Sequence, residues 1–132
     1  MPAQLNDDGS WRLNVIGPTT SIRMEPYADV VGKMGIRAVI GKGGMDTDTL
    51  QACSKYGYVY LQAAPGCAAK LARGIERIND VTWFDLGMPE AVWDLQAKDF
   101  GPLVVGMDTH GQSIYQKLKE LAFQKIDETY PA

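Results

Sequence analysis

An α/β fold, with a partly parallel sheet and helices packed on it, is predicted by three features of the 132 residues. Between residues 11 and 75, apolar runs of strand length alternate three times with apolar residues at helical spacing. The connecting turns are rich in glycine, proline and threonine, and in an open parallel sheet such turns at the carboxyl ends of the strands bind ligands. After about residue 80 the pattern changes to short runs that alternate as half-buried strands do.

Residues 1–10 are polar and read as a loose lead-in, and residues 11–16 as the first strand. The turn that follows is Gly17-Pro18-Thr19-Thr20-Ser21-Ile22-Arg23-Met24-Glu25. A helix then carries Tyr27, Val30, Val31 and Met34 on one face and ends at Gly35. It begins only a few residues before Pro26, because proline suits the first turn of a helix and not its interior. The helix start favours an anion, whereas Arg23 in its first turn is mildly unfavourable there, and a bound carboxylate or phosphate removes that conflict. The hydroxyls of Thr19 and Thr20 stand beside the same point. The competing reading is that Thr19, Thr20 or Ser21 caps the helix. No capping box supports it, since Arg23 and Met24 stand where the glutamate or glutamine belongs.

Residues 36–40 are apolar enough for a strand buried on both faces. They lead into Gly41-Lys42-Gly43-Gly44-Met45, where glycines permit close backbone approach to a ligand and Lys42 supplies a charge. The alternative is a solvated lysine in a flexible turn. A nucleotide-binding P-loop is excluded, because Lys42 is followed by Gly43 and not by serine or threonine. Asp46, Thr47 and Asp48 offer caps for a helix through Leu50, Cys53 and Tyr56, closed by Gly57. Residues 58–62 form a third strand, Ala63-Ala64-Pro65-Gly66 a third turn, and Ala68, Leu71, Ala72 and Ile75 mark a third helix. Strand-helix alternation implies parallel strands, which puts residues 19–23 and 42–44 at one sheet edge.

Residues 81–86 read as a strand, and 91–97 as another, with a helix opened by Pro89-Glu90 as its competitor. Gly101-Pro102 breaks the chain before a strand at 103–107 and a loop at 108–112. Ile114, Leu118, Leu121 and Ala122 suit a last helix, closed by Asp127-Glu128-Thr129. Cys53 and Cys67 lack the spacing of a metal site or a disulfide framework and read as small core residues of helices. His110, the one histidine, falls in an exposed turn and is given no role.

Composition sets outer bounds. A formal net charge of −3 argues against nucleic-acid binding by overall charge, so any anion site is local. No apolar run reaches the roughly 20 residues of a membrane span, and the first residues lack the pattern of a signal peptide, so a cytoplasmic location is expected.

Four blocks now stand in order: Gly17-Pro18-Thr19-Thr20-Ser21-Ile22-Arg23-Met24-Glu25, Gly41-Lys42-Gly43-Gly44-Met45, Gly87-Met88-Pro89-Glu90-Ala91-Val92-Trp93 and Asp99-Phe100-Gly101-Pro102-Leu103. Together they resemble the β subunit, or C-terminal domain, of class I fumarate hydratases and L(+)-tartrate dehydratases, over residues 11–115. The resemblance implies a swivelling β/β/α domain. It also implies an iron-sulfur hydro-lyase acting on a four-carbon dicarboxylate such as fumarate or malate. In that family an α subunit carries a four-iron four-sulfur (4Fe-4S) cluster on three cysteines, and the β part completes the site. Carried onto this sequence, Thr19 is the acid/base for the carbon-bound proton, Arg23 and Lys42 hold substrate carboxylates, and Thr20 and Gly43 are their neighbours at the substrate. An α subunit is the implied partner, in a homo-oligomer of αβ units. The family's Arg-Asp…His segment upstream of the first block is not found here, where Arg12 is followed by Leu13. The expectation is therefore a single domain over residues 1–132 that lacks the usual N-terminal segment of the β subunit, inactive and cluster-free by itself. The alternatives are a tartrate dehydratase β subunit and a non-catalytic module that binds anions or organises subunits.

Overall fold

A computed structural model of the chain describes residues 3–17 and 20–130. The order is β1 (Ala3–Leu5), β2 (Trp11–Leu13), a 3-10 segment (Ser21–Tyr27), α1 (Ala28–Lys33), β3 (Ala38–Gly41), α2 (Thr47–Tyr56) and β4 (Val59–Ala63). It continues with α3 (Ala68–Ala72), β5 (Ile75–Thr82), a 3-10 turn (Phe84–Leu86), β6 (Val92–Ala97), β7 (Leu103–Met107) and α4 (Ile114–Thr129). This is the mixed α/β content the sequence predicts. The elements gather into two compact units, built from the described parts of Met1–Pro18 with Ala63–Leu103, and of Thr19–Gln62 with Val104–Ala132.

In the first unit the amino-terminal stretch is not a loose lead-in. β1 pairs antiparallel with β2, Ala3 opposite Leu13 and Leu5 opposite Trp11. The Asn6 N–H donates to the Ser10 carbonyl at 2.8 Å, and the Asp8 carboxylate accepts the Ser10 N–H and hydroxyl, which holds the Asp8 carboxyl below its usual range. The expected strand at 11–16 is thus three residues long and belongs to a hairpin, not to the parallel sheet. Trp11 meets Trp93 edge-on at 5.2 Å and Phe84 at 5.3 Å, an aromatic cluster that anchors the hairpin.

Ile75 opens β5 instead of extending the third helix. Gly74 is the reason. Its N–H closes the last turn of α3 on the Leu71 carbonyl at 2.9 Å, its carbonyl accepts from Lys98, and a Cβ there would stand 2.8 Å from the Phe100 Cα. β5 ends at Thr82, because Trp83 takes a left-handed φ of 59° into the 3-10 turn, so the strand expected at 81–86 starts and stops earlier. At 91–97 the strand prevails over the helix. β6 pairs antiparallel with β5 from Thr82 opposite Val92 to Ile75 opposite Ala97, and the Trp93 indole N–H donates to the Met88 carbonyl.

The second unit holds a three-stranded sheet of order β3-β4-β7, with β3 and β4 parallel from Ala38 opposite Val59 to Gly41 opposite Gln62. α2 connects that pair and has the predicted ends: the Asp46 carboxylate accepts the Thr47 N–H, and Gly57 closes it at a φ of 72°. Its core is Ala28, Met45, Leu50, Ala52, Cys53, Tyr58, Tyr60 and Met107.

The first helix differs from expectation. A 3-10 segment containing Pro26 precedes a six-residue α1. Tyr27, Val30 and Met34 lie in solvent, Met34 at 71% exposure, while Ala28 and Gly32 are buried and Val31 packs on the core. Tyr27 falls in the 3-10 segment, so its angle about the axis departs from α-helical spacing. β3 is not covered on both sides, since Ile40 is exposed. Among the described residues of α4 none is buried, so Leu118 and Leu121 are not core residues. Cys53 is fully buried as expected, whereas Cys67 stands half-buried just before α3. No described helix is long and apolar enough to cross a membrane.

Candidate functional site

The second unit brings the two predicted turns together. Thr20 forms an isolated parallel bridge with Lys42, and the Ser21 N–H donates to the Lys42 carbonyl at 3.3 Å. The Ser21 hydroxyl accepts the Lys42 N–H at 2.7 Å. The Arg23 N–H donates to the Thr20 carbonyl at 3.4 Å, which sets Arg23 one turn from that junction. Thr20 makes no side-chain cap, and Ser21 is turned onto the lysine backbone. Thr19 lies outside the described residues.

Glu25, in the same block, supplies a second tie. Its carboxylate accepts the Asp46 N–H at 2.9 Å, the Thr49 N–H at 2.8 Å and the Thr49 hydroxyl at 2.7 Å. The donor-rich start of α2 therefore holds an internal anion, and an external one must find other partners. The cations supply them. Among the described residues neither the Arg23 nor the Lys42 side chain has an ion-pair or hydrogen-bond partner, whereas Lys33 and Lys55 both bind Asp29.

Two tyrosines also hold the glycine turn. The Tyr60 hydroxyl donates to the Gly43 carbonyl at 2.8 Å, and the Tyr115 hydroxyl stands 3.1 Å from that oxygen and 2.6 Å from Gln62 Oε1. Burial pushes the Tyr115 hydroxyl up to about 12 and raises that of Tyr60, so both stay protonated donors near neutrality. Gly43 takes a φ of +77°, which a residue with a side chain rarely adopts. Gly41 is required by space instead, since a Cβ there would collide with the Ser21 hydroxyl and the Tyr60 ring. A cleft of about 390 Å³ opens beside the turn, with Ile22, Met45, Thr47, Met107, Tyr115 and Lys119 among its walls.

The structure thus joins Thr20, Arg23, Lys42 and Gly43 within one unit. His110 stays apart, exposed in a turn where its N–H donates to Asp108. Glu25, Tyr60 and Tyr115 are given no role by the sequence, and Ser21 is read from it only as a candidate helix cap. Glu25 closes the first block, and Gly41 marks where a bulky partner presses on the chain, but neither signal names the partner.

The site gives no ligand set for an iron-sulfur cluster. The chain has two cysteines, Cys53 is sealed in the core, and among the described residues no three His, Cys, Asp or Glu gather to hold a metal ion.

Comparison with known proteins bears on this geometry. The chain is 46% identical over 127 residues to a Methanocaldococcus jannaschii protein provisionally named L(+)-tartrate dehydratase subunit beta, covering 95% of this chain and 64% of that one. It is 46% identical over 129 residues to a Geobacillus stearothermophilus protein provisionally named fumarate hydratase class I, covering 96% of this chain and 25% of that one. The L(+)-tartrate dehydratase subunit beta of Escherichia coli K12 is 37% identical over 127 residues, covering 96% of this chain and 63% of the relative. The chain thus spans a little under two thirds of the β-subunit relatives. The pattern of the Fumarase C-terminus family matches residues 2–118, and with the two family turns joined at Thr20 and Lys42, the chain belongs to that family.

Proposed function

We propose that this chain is the β part of a hydro-lyase that reversibly hydrates a four-carbon dicarboxylate, fumarate to malate, in the cytoplasm. The observation that carries the proposal is that Arg23 and Lys42, whose side chains have no partner among the described residues, are tied through Thr20 to one backbone junction. A dicarboxylate dianion needs two separated cationic partners. A guanidinium grips one carboxylate in a bidentate manner, and an ammonium takes the other as a point charge. Removing a proton beside a carboxylate builds negative charge there, so the same cations favour the transition state over the bound substrate. Thr19 is assigned the carbon-bound proton, a role open to a threonine hydroxyl only where positive charge lowers its pKa. Thr20 and the Gly43 backbone border the substrate.

The cluster belongs in this reading to a cysteine-bearing α partner, and αβ units assemble further. The amount of apolar side chain left in solvent, including Met34, Leu118 and Phe123, supports association. Tartrate is the second reading for the substrate, favoured by the names of two relatives.

The test is reconstitution with the α partner and a panel of fumarate, malate and tartrate. The expected result is an isolated chain without activity and a complex whose turnover falls roughly 100-fold or more on Arg23→Ala or Lys42→Ala. A stable complex indifferent to both substitutions would leave a non-catalytic anion-binding or subunit-organising module.

A further inference from the structure

Lys42 lies in a turn with glycine at 41, 43 and 44, the chain composition least able to hold a side chain in one place. The turn is nevertheless held at two consecutive residues. Ser21 takes both the N–H and the carbonyl of Lys42, and two tyrosine hydroxyls converge on the next carbonyl, that of Gly43.

The two tyrosines are not equivalent. Tyr60 is fully buried on β4. Tyr115, in the first turn of α4, is half-buried and lines the cleft beside the turn. Room has been left for it twice. A Cβ on Gly106 would stand 2.6 Å from the Tyr115 hydroxyl, and one on Gly44 would stand 3.1 Å from its ring. Two backbone positions, one on β7 and one in the turn itself, therefore admit one phenol whose proton is shared between Gly43 and Gln62.

We propose that Tyr115 is a positioning residue, whose hydroxyl at the Gly43 carbonyl sets the turn and through it aims the Lys42 ammonium at a substrate carboxylate. The proposal rests on the reading of Lys42 as a carboxylate-binding residue. Tyr115 itself is given no contact with substrate.

The experiment uses the complex with its cysteine-bearing partner and compares wild type, Tyr115→Phe, Lys42→Met and the double variant. It reads KM and kcat for malate, and binding of succinate as a non-reacting four-carbon dicarboxylate. Phenylalanine keeps the ring against Gly44 and removes only the hydroxyl. Loss of one neutral hydrogen bond corresponds to roughly a three- to tenfold weakening of succinate binding, with KM rising in step and kcat moving less. In the Lys42→Met background the same substitution should add nothing, because the group it aims is gone.

Gly106→Ala, which displaces the hydroxyl from the other side, should act in the same direction. Unchanged affinity in Tyr115→Phe, or equal weakening with and without Lys42, overturns the inference while the role of Lys42 stands. Wild-type affinity in Lys42→Met removes that role as well, so the two failures can be told apart.

Discussion

Glu25 shows how one side chain can join two parts of a site. It lies two residues beyond Arg23, and its carboxylate takes three donors from the start of α2, next to the turn that carries Lys42. Without it, two backbone N–H groups and the Thr49 hydroxyl lose a charged acceptor. Thr49 is 2% exposed, so water offers its hydroxyl little in exchange. Glu25→Ala should cost about 2–3 kcal/mol, as for hydrogen bonds to a charged group, read from the shift of the urea midpoint at constant slope. A loss below about 0.5 kcal/mol would mean that the helix start finds solvent as good a partner.

At the scale of elements, the seam between α1 and α2 depends on an absent side chain. A Cβ on Gly32 would stand 2.1 Å from the Tyr56 ring. The same tyrosine donates its hydroxyl to Asp29, which also pairs with Lys33 at 2.7 Å and Lys55 at 2.9 Å. Those partners hold the Asp29 carboxyl well below the usual range, with Lys33 the largest influence. The cluster is exposed, so its ion pairs do little for stability by themselves. The ring packing matters more. Gly32→Ala should destabilise by about 1–3 kcal/mol, the usual cost of overpacking, and should displace the Tyr56 ring resonances in an NMR spectrum. A neutral effect with unmoved resonances would show that α1 slides freely.

Across the whole molecule, the core of the second unit contains groups whose neutral form the fold favours. Burial pushes the Cys53 thiol up to about 11 and the Tyr58 hydroxyl up to about 12. Raised values mean that the folded state holds its protons more tightly than the unfolded chain. The stability they confer is complete below the unfolded thiol value of roughly 8.5 and is lost as pH rises through about 11. Thermal midpoints should therefore fall between pH 9 and 11 by an amount that Cys53→Ala makes smaller. An identical slope in that variant would exclude the thiol as the cause.

Local features of the chain were legible from sequence because they depend on neighbouring residues. α2 between Asp46 and Gly57 is written in its caps, and β4 and β7 are written in their apolar runs. The four family blocks, with Thr20, Arg23, Lys42 and Gly43 among their residues, could be read the same way. Pairing partners could not. Residues 11–16 have the composition of a parallel strand, yet β2 joins the hairpin with β1 through contacts that the run itself does not encode. Periodicity marked a helix with Tyr27, Val30, Val31 and Met34 but not which of them would find a packing partner, and only Val31 meets the core. By itself the sequence determined which segments carry charge beside glycine, since both are properties of a segment. Only tertiary structure decided what holds them in place. Ser21, Glu25, Tyr60 and Tyr115 reach the two turns across 17 to 72 residues of chain, and hydrogen bonds of that range depend on how the elements pack.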